Sequence, residues 1–491
     1  MNQLTDINDT IAAIATPVGH GGIGIIRLSG PGSLSIADKI FLAKNNKKPS
    51  SFRDFSVHYG WIIGSERRLE ARGQTLEARK TDVGSLAEHK SLNVEKIDEV
   101  LLTIMRAPRS YTMQDVVEIS CHGGAVSLRT ILGIVLENGA RLAEPGEFTK
   151  RAFLNGRIDL AQAEAVLDII NSKTETFLKL SANQLKGDLS VELGSIREDL
   201  MATYIELEAV VNFPEDEVDS KGKEKILGDI DSALQRVQKL LRSSEHGRIL
   251  REGIKIVICG RPNVGKSSLL NALLKQSRAI VSPVAGTTRD TIEEMANIKG
   301  IPFQLVDTAG ILEPRDLIEE EAIKRSRMFI KAADLILFVF DSHDRLSAED
   351  ERLMEEVKSA NVLVVLNKSD LSVGIDISKI QQHLPYKKLI KISALERNGM
   401  EDLEDAIVEN IWQGRSVDSS ELVLSNLRHI QALKDCKESI EKVVSNLQCG
   451  LSFEFVSEEI KIAVNFLDQI TGRDIDVDLL ENIFSKFCIG K

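Results

Sequence analysis

The chain has 491 residues, a net charge of −12, and 43% hydrophobic and 28% charged residues. This length is enough for about three domains, and the composition is that of a globular protein, not a disordered or fibrous one. Its apolar stretches fall short of the roughly 18 residues that a transmembrane helix needs, so we expect no membrane span.

The cysteines, the first residues and the charge indicate a cytoplasmic protein with a limited surface for nucleic acid. The five cysteines are scattered without a C-x-x-C pair, which disfavours a disulfide framework or a structural zinc site. Residues 1–6 have neither a basic region nor an apolar core, so we expect no secretory signal. Because the net charge is acidic, contact with RNA would need a local basic patch or a basic partner.

Residues 1–155 have the pattern of a small α/β domain. The predicted strands are 10–14, 24–28, 99–104 and 116–119, and the predicted helices are 33–41, with Ser33 as its cap, and 125–138. Residues 65–96 are polar and charged, and are interpreted as a surface excursion. Cys121 and His122 stand in a predicted turn, 121–124. Because adjacent residues at a strand end point to opposite sides, structural roles are favoured over shared nucleophilic or metal chemistry.

From about residue 156 the apolar spacing changes to three and four, which predicts helices. This pattern ends at Asn212, before Pro214, and another helix is predicted over 223–246. Residues 421–487 are again helical in pattern. Helical sequence on both sides of an α/β segment predicts an α/β domain inserted into a discontinuous helical domain.

The inserted segment contains a phosphate-binding loop at 260–267, which follows the apolar run 255–259 and precedes a predicted helix. In the pattern G-x-x-x-x-G-K-[ST], glycines let backbone N–H groups surround phosphates, and the helix N-terminus adds positive potential. Lys266 is expected to reach the β- and γ-phosphates, and the Ser267 hydroxyl to hold magnesium.

Later motifs, each after a predicted strand, indicate GTP. Asp307 and Gly310 fit magnesium and γ-phosphate contacts, and a Thr in 286–290 fits closure over magnesium. A carboxylate at Asp370 accepts both N–H donors of guanine, a pair that adenine lacks. The predicted GTP-binding residues are Asn263, Val264, Gly265, Lys266, Ser267, Ser268, Thr287, Thr288, Asp307, Thr308, Ala309, Gly310, Asn367, Lys368, Asp370, Ser393 and Ala394.

Two positions depart from many GTPases. Ile311 and Leu312 stand where a water-orienting Gln is common, so another group must orient the water. The candidate carboxylates are Glu313, Asp316, Glu319, Glu320 and Glu321. The side chain of Asn263 either holds a monovalent cation beside the phosphates or only braces the loop, and the residues alone leave both open.

The chain resembles the tRNA modification GTPase family called MnmE or TrmE over nearly its whole length. The motifs that carry the resemblance are Asp9–Ala13, Gly21–Arg27, Ala107–Thr112, Asp115–Gly124, Pro145–Thr149, Arg151–Arg157 and Phe487–Lys491. The resemblance implies an α/β plus all-α architecture. Its predicted domains are an N-terminal folate-binding and dimerisation domain (1–155), a helical domain in two parts (156–250 and 414–491), and an inserted, doubly wound P-loop GTPase domain (251–413).

The same resemblance implies a potassium-activated GTPase. With an FAD-containing partner, MnmG or GidA, in a heterotetramer, such a homodimer adds a 5-(carboxymethyl)aminomethyl group to the wobble uridine of tRNA. The implied one-carbon donor is 5-formyl- or 5,10-methylene-tetrahydrofolate. The implied folate contacts are Arg27, Glu118, Arg157 and Lys491; the magnesium ligands are Ser267 and Thr288; the potassium ligands are Asn263, Ser282, Val284 and Thr287.

The resemblance assigns the water-orienting role to Glu319, whereas a solvated helix position is its alternative. Cys488 is either a nucleophile near the folate or a small residue that packs the C-terminal tail. A second class of function is a GTP-dependent switch without chemistry of its own, such as a ribosome-assembly factor. Folate binding by residues 1–155 would distinguish the two.

Overall fold

The computed structural model describes residues 7–17, 19–64, 95–212, 220–276, 293–307, 328–385, 387–412 and 422–491. The chain forms two compact units, one of residues 1–167 with 471–491 and one of residues 168–470. Residues 65–94, most of the predicted surface excursion, lie outside the described residues.

The first unit is built on a seven-stranded sheet with the order β3-β4-β5-β6-β2-β1-β7. Its strands are β1 (Ile11–Ile14), β2 (Gly21–Ser29), β3 (Phe41–Ala43), β4 (Ser56–Ile63), β5 (Lys96–Met105), β6 (Val116–Gly123) and β7 (Arg141–Leu142). Neighbours pair antiparallel except β1 and β7, which are parallel. Helices α1 (Ser33–Ile40) and α2 (Ala125–Glu137) each bury one apolar face against the sheet.

A second core of this unit joins its two distant ends. It contains α3 (Glu147–Leu154), the start of α4 (Leu160–Ile170) and α15 (Val477–Ser485), a helix from the end of the chain. Ala152, Leu160 and Phe484 are buried in this cluster, so burial of apolar surface holds the C-terminal segment on the N-terminal unit.

Two local predictions in this unit are wrong. Ser33 does not cap α1: the cap is Gly32, whose N–H donates to Thr10 Oγ1 at 2.7 Å, and Ser33 is buried as the first helical residue. Residues 121–123 are not a turn, because β6 continues to Gly123, which pairs with Gly21.

The second unit contains a six-stranded sheet with the order β13-β12-β11-β8-β10-β9. Its strands are β8 (Ile254–Cys259), β9 (Glu293–Ile298), β10 (Ile301–Asp307), β11 (Leu335–Asp341), β12 (Val362–Asn367) and β13 (Leu389–Lys391). All neighbours are parallel except β9 and β10. Helices α9 (Lys266–Gln276), α10 (Ala348–Val357), α11 (Ile377–His383) and α12 (Met400–Trp412) contribute to separate apolar clusters on the sheet, which confirms the doubly wound prediction.

Helices that precede and follow this sheet in sequence make up the rest of the unit. They are α5 (Glu175–Lys186), α6 (Asp188–Asn212), α7 (Ser220–Arg242), α8 (Ser244–Glu252), α13 (Leu427–Gln448) and α14 (Phe453–Thr471). Because α7 packs against both α6 and α13, the helical segments before and after the sheet form one assembly, as predicted. The single helix predicted over 223–246 is instead two helices that meet at Ser243. Among the described residues, every helix is too short or too polar to cross a bilayer.

Candidate functional site

The phosphate loop lies between the end of β8 and the start of α9, and two glycines give it its shape. Gly260 has φ +145°, and a Cβ there would lie 2.4 Å from the carbonyl oxygen of Val339. Gly265 has φ +94°, and its Cβ would lie 2.2 Å from Asn367 Nδ2. Both positions therefore require glycine for backbone conformation and for close approach of a neighbouring strand end.

Lys266 begins α9 and is only 4% exposed. Its Nζ donates to the carbonyl oxygens of Gly260 and Arg261, each at 2.9 Å, so the ammonium is held by the loop that it follows. Val264 is buried, whereas Ser267 and Ser268 are exposed in the first turn of α9. Ser267 directly follows the buried Lys266 at the start of α9, which is the order of the phosphate-binding pattern.

Asn367 connects the phosphate loop to the predicted base-binding loops. Its Nδ2 donates to the Val264 carbonyl at 2.9 Å, and its Oδ1 accepts from the Ala394 N–H at 3.0 Å. Ser369 N–H donates to Ile392 O at 3.0 Å, which joins the same two strand ends a second time. Asp370 is exposed at this edge, so its carboxylate is accessible to a base.

Lys368 adds a contact on the other side of the loop. Its Nζ donates to Asn263 O at 3.0 Å and to Asp341 Oδ2 at 2.6 Å. Burial alone would raise the pKa of Asp341, but hydrogen bonds from Lys368 and from the His343 N–H, together with the positive charges of Lys368 and Arg261, outweigh burial and lower the pKa. The ionised Asp341 therefore fixes Lys368, and the sequence analysis missed it because it belongs to none of the motifs.

Several predicted GTP-site residues lie outside the described residues. They are Ser282, Val284, Thr287, Thr288, Thr308, Ala309, Gly310 and Glu319. Asp307 is the last residue of β10 and pairs with Ile258 of β8, so its backbone ends beside the strand that leads into the phosphate loop.

The first unit contains a second cluster of polar residues, centred on Arg27. Arg27 and Glu118 are opposite each other on β2 and β6, and Arg27 Nε donates to Glu118 Oε1 at 2.7 Å. The Arg27 guanidinium also lies 5.8 Å from the centre of the Tyr111 ring and 5.7 Å from that of Phe148. The guanidinium of the exposed Arg157 lies 4.5 Å from the centre of the same Tyr111 ring.

The C-terminal tail reaches this cluster. Arg27 Nη1 donates to Gly490 O at 3.2 Å, and Ile489 forms a β-bridge with Pro145. Gly490 has φ +93°, and a Cβ there would lie 2.4 Å from Ile14 O, so only glycine fits beside β1. The tail therefore brings Lys491, which is half-buried, and the exposed Cys488 next to residues from the start of the chain.

A partly buried ion network lies at the start of α3, and the sequence analysis did not identify it. Arg151 is 1% exposed and pairs with Asp9 and Glu147, while Arg141 pairs with the same two carboxylates. Burial alone would raise the pKa of Glu147, but hydrogen bonds, the largest from Arg141, lower it. Glu147 therefore stays ionised and fixes the start of α3, which carries Phe148.

Cys121 and His122 point to opposite sides of β6, as predicted. Cys121 is buried and donates to Gly24 O at 3.4 Å, whereas the exposed His122 places Nδ1 2.6 Å from Asp98 Oδ1. Burial raises the pKa of the Cys121 thiol to about 11. Within the described ranges, His, Cys, Asp and Glu side chains form no group that could hold a metal ion.

A phosphate loop on a doubly wound sheet, joined to the predicted base-binding loops at neighbouring strand ends, defines a P-loop GTPase domain. Residues 160–488 match the family described as MnmE helical domain, and residues 10–157 match that described as GTP-binding protein TrmE N-terminus. The chain is 43% identical over 485 residues to the tRNA modification GTPase MnmE of Alkaliphilus metalliredigens strain QYMF, covering 99% of this chain and 100% of that protein. The same protein of Bacillus subtilis strain 168 is 41% identical over 485 residues, which cover 98% and 100% of the two chains. The chain belongs to the MnmE family of tRNA modification GTPases.

Proposed function

We propose that this chain is a potassium-activated GTPase that, with an FAD-containing partner of the MnmG (GidA) type, modifies the wobble uridine of tRNA. The group added is a folate-derived 5-(carboxymethyl)aminomethyl group. Family membership supports GTP hydrolysis in tRNA modification. The observation that carries the finer proposal is the convergence of Arg27, Glu118, Arg157 and the C-terminal tail in one cluster.

In the GTPase site, the buried Lys266 would pair with the β- and γ-phosphates, and Asp370 would accept from the guanine ring and amine. Magnesium would be held by Ser267 and Thr288, where it offsets charge on the phosphates. Potassium would be held by Asn263 with Ser282, Val284 and Thr287. The exposed position of Ser267 in the first turn of α9 supports its role as a magnesium ligand.

Glu319 would orient the attacking water as the GTPase domains dimerise. Glu319→Ala should then lower GTP turnover in potassium by about tenfold to a hundredfold, because it removes a positioned general base, with little change in GTP affinity. The matched control is Glu320→Ala. Equal turnover of the Glu319 variant and wild type would remove Glu319 from the mechanism.

In the N-terminal unit, Arg27, Arg157 and Lys491 would bind a tetrahydrofolate derivative, either the 5-formyl or the 5,10-methylene form. Arg157 and Lys491 would pair with folate carboxylates, and the Glu118 carboxylate, held by Arg27, would accept from N–H donors of the pterin. Cys488 is exposed beside this cluster, which fits a nucleophile toward the uridine or the one-carbon unit.

We also propose a cytoplasmic homodimer that forms through the first unit. Leu42, Val57, Tyr59 and Leu101 are exposed on β3, β4 and β5, and Tyr59 is directly opposite Leu101. A largely apolar sheet face of this kind, on which the Lys44 ammonium lies 4.2 Å from the centre of the Tyr59 ring, fits a second copy of the chain. Sedimentation should give a dimer for the wild type and a monomer for Leu101→Asp; an unchanged dimer would exclude this face.

The decisive experiment is nucleoside mass spectrometry of tRNA from cells that lack the protein. We expect the 5-substituted wobble uridine to disappear and to return with the wild-type copy. Copies carrying Lys266→Ala or Arg27→Ala should both fail to restore it. Unchanged nucleosides in the deleted cells would favour the alternative, a GTP-dependent switch without folate chemistry.

A further inference from the structure

A basic loop and an exposed aromatic residue stand together at one end of the first unit's sheet. The basic loop, residues 44–55, connects β3 to β4, and it carries Lys44, Lys47, Lys48 and Arg53, all exposed. In a chain with a net charge of −12, this is a local concentration of positive charge. Within the described residues, neither Lys47, Lys48 nor Arg53 forms an ion pair.

Hydrogen bonds and ring stacking hold the backbone of the basic loop in place. Arg106, which follows β5, donates through Nη2 to the carbonyl oxygens of Ser50 and Phe52 at 2.8 and 3.1 Å. Its backbone N–H donates to Asp54 Oδ1 at 2.8 Å, and Phe52 stacks on His58 with ring centres 3.6 Å apart. These contacts fix the backbone from which Lys47, Lys48 and Arg53 project, so their charges are held together before any partner arrives.

Phe55 ends the basic loop with its side chain in solvent. It is 58% exposed and has φ +53°, a conformation that is strained for a bulky residue. Its backbone N–H donates to Ile104 O at 3.0 Å, which fixes this backbone, and the Arg109 guanidinium packs 5.6 Å from the ring centre. An exposed aromatic ring that the fold holds in a strained conformation between basic residues is suited to stack on an unpaired base.

The location connects this surface to the Arg27 cluster. Arg109 and Tyr111 belong to the same segment between β5 and β6, and the Tyr111 ring lies against both Arg27 and Arg157. The segment that holds Arg109 against the basic loop thus also carries Tyr111 of the Arg27 cluster.

We propose that the basic loop, with Phe55 and Arg109, binds the anticodon arm of the tRNA substrate. Lys47, Lys48 and Arg53 contact the phosphates of the arm, and Phe55 stacks on an unpaired base of its loop. The inference rests on the proposed function, because it assigns a surface to the tRNA partner. It also explains how an acidic chain contacts RNA: the binding charge is local, although the net charge is negative.

The test measures equilibrium binding of fluorescent anticodon stem-loop RNA to the full-length chain over a series of salt concentrations. The first variant carries Lys47→Glu, Lys48→Glu and Arg53→Glu. Its control carries Lys379→Glu, Lys434→Glu and Lys461→Glu, which replace three exposed lysines of the other unit and change the net charge by the same amount. We expect the first variant to weaken binding at least about tenfold and to reduce the salt slope by roughly two to three. The control should differ little from wild type.

A second pair of variants separates stacking from charge. Phe55→Ala should weaken binding about fivefold or more without changing the salt slope, because it removes stacking and leaves the phosphate contacts. Phe455→Ala, at a Phe that is 63% exposed on α14, should have no effect. Equal affinity of the wild type, the triple variant and Phe55→Ala would overturn the proposal, as would a wild type that binds no RNA. A triple variant that keeps RNA affinity but no longer binds the FAD-containing partner would assign the loop to a protein and overturn it too.

Failure of the RNA-surface proposal can be distinguished from failure of the proposed folate chemistry. Binding of 5-formyl-tetrahydrofolate and GTP turnover are measured on the same preparations, and both should be unchanged in the triple variant. Loss of RNA affinity in a chain whose wild type binds no folate would overturn the proposed folate chemistry and leave the RNA surface intact. If the wild type binds folate and modifies tRNA but the loop variants have no effect, the RNA surface is overturned and the proposed folate chemistry stands.

Discussion

Single atoms decide the shape of the phosphate loop. Gly265 combines a left-handed backbone with a neighbour, Asn367 Nδ2, that lies 2.2 Å from the place a Cβ would occupy. Asn367 cannot retreat freely, since its amide also joins Val264 to Ala394. One methyl group at Gly265 would thus disturb the phosphate loop and the predicted base-binding loop together.

Gly265→Ala should therefore weaken GTP binding by at least about tenfold, because a left-handed non-glycine residue costs roughly 1–2 kcal/mol and the clash adds to it. Titration with a fluorescent GTP analogue measures the effect. Gly139→Ala is the control: it has φ +110° but open space around the Cβ, and it lies in the other unit. Equal GTP affinity of Gly265→Ala and wild type would show that the loop relaxes without loss.

At the residue scale, the buried cysteines and the exposed Cys488 should differ in the reactivity of their thiols. Burial raises the pKa of Cys121 to about 11 and the pKa values of Cys259 and Cys436 to about 12, whereas Cys449 and Cys488 are exposed. Because the thiolate is the nucleophile, the buried thiols should react very slowly at pH 8.

Iodoacetamide at pH 8 should accordingly alkylate Cys449 and Cys488 in the native protein and leave Cys121 unmodified, as peptide mass spectrometry will show. Unfolding in urea should make all five cysteines react. Alkylation of native Cys121 at the rate of Cys488 would contradict its structural assignment and reopen a reactive role for the pair with His122.

At the scale of elements, three helical glycines stand in contrasting surroundings. Gly194 in α6 and Gly228 in α7 have open space where a Cβ would point. Gly247 in α8 would place its Cβ 2.0 Å from Leu424 O, and Ser243 Oγ accepts from the Leu424 N–H at 3.1 Å. Gly247 therefore allows α8 to pack directly on the segment that leads into α13.

The same substitution should have opposite effects in these helices. Gly194→Ala and Gly228→Ala should each raise the free energy of unfolding by up to about 1 kcal/mol, since alanine favours the helix. Gly247→Ala should lower it by about 1–3 kcal/mol, because overpacking displaces α8. Urea unfolding followed by circular dichroism measures all three, and a stabilised Gly247→Ala would show that the contact with Leu424 yields easily.

Sequence predicted those elements whose signal is local. β8, β10 and β12 are mostly apolar runs that end in nucleotide motifs, and the sequence predicts a strand before each motif. β3 and β4 were not predicted, because β3 has three residues and β4 includes Ser56, His58 and Gly60, whose pairing with β5 is not local. The break at Ser243 was missed for a similar reason: the apolar spacing continues, and packing on Leu424 interrupts the helix.

The candidate sites divide in the same way. The phosphate loop and the contacts of Asn367 follow from contiguous motifs, whereas the Arg27 cluster joins β2, β6, Tyr111 and Gly490 across most of the chain. The spacing of residues in the sequence does not reveal contacts between segments so far apart. Here only the family resemblance indicated which residues belong to one site. The ion network of Arg151 had no comparable signal, because each partner alone resembles an ordinary surface charge.

At the scale of the whole molecule, the last 21 residues belong to the unit that the first 167 form, while the nucleotide loops lie in the other unit. Gly490 is the residue on which this arrangement can be tested. Its substitution should displace the tail from Ile14, break the contact with Arg27 and move Lys491, without touching a residue of the GTPase sheet.

Gly490→Ala should lower the affinity for 5-formyl-tetrahydrofolate at least about tenfold, since both the left-handed strain and the clash with Ile14 O oppose the bound position of the tail. GTP affinity and basal turnover should stay within about twofold of wild type. Gly450→Ala provides the control, with φ +70° and open space in the other unit. Isothermal titration with 5-formyl-tetrahydrofolate measures the folate affinity, and a phosphate-release assay on the same samples measures GTP turnover. Unchanged folate affinity would remove the tail from the folate site, whereas a parallel loss of GTP turnover would show that the two units act as one.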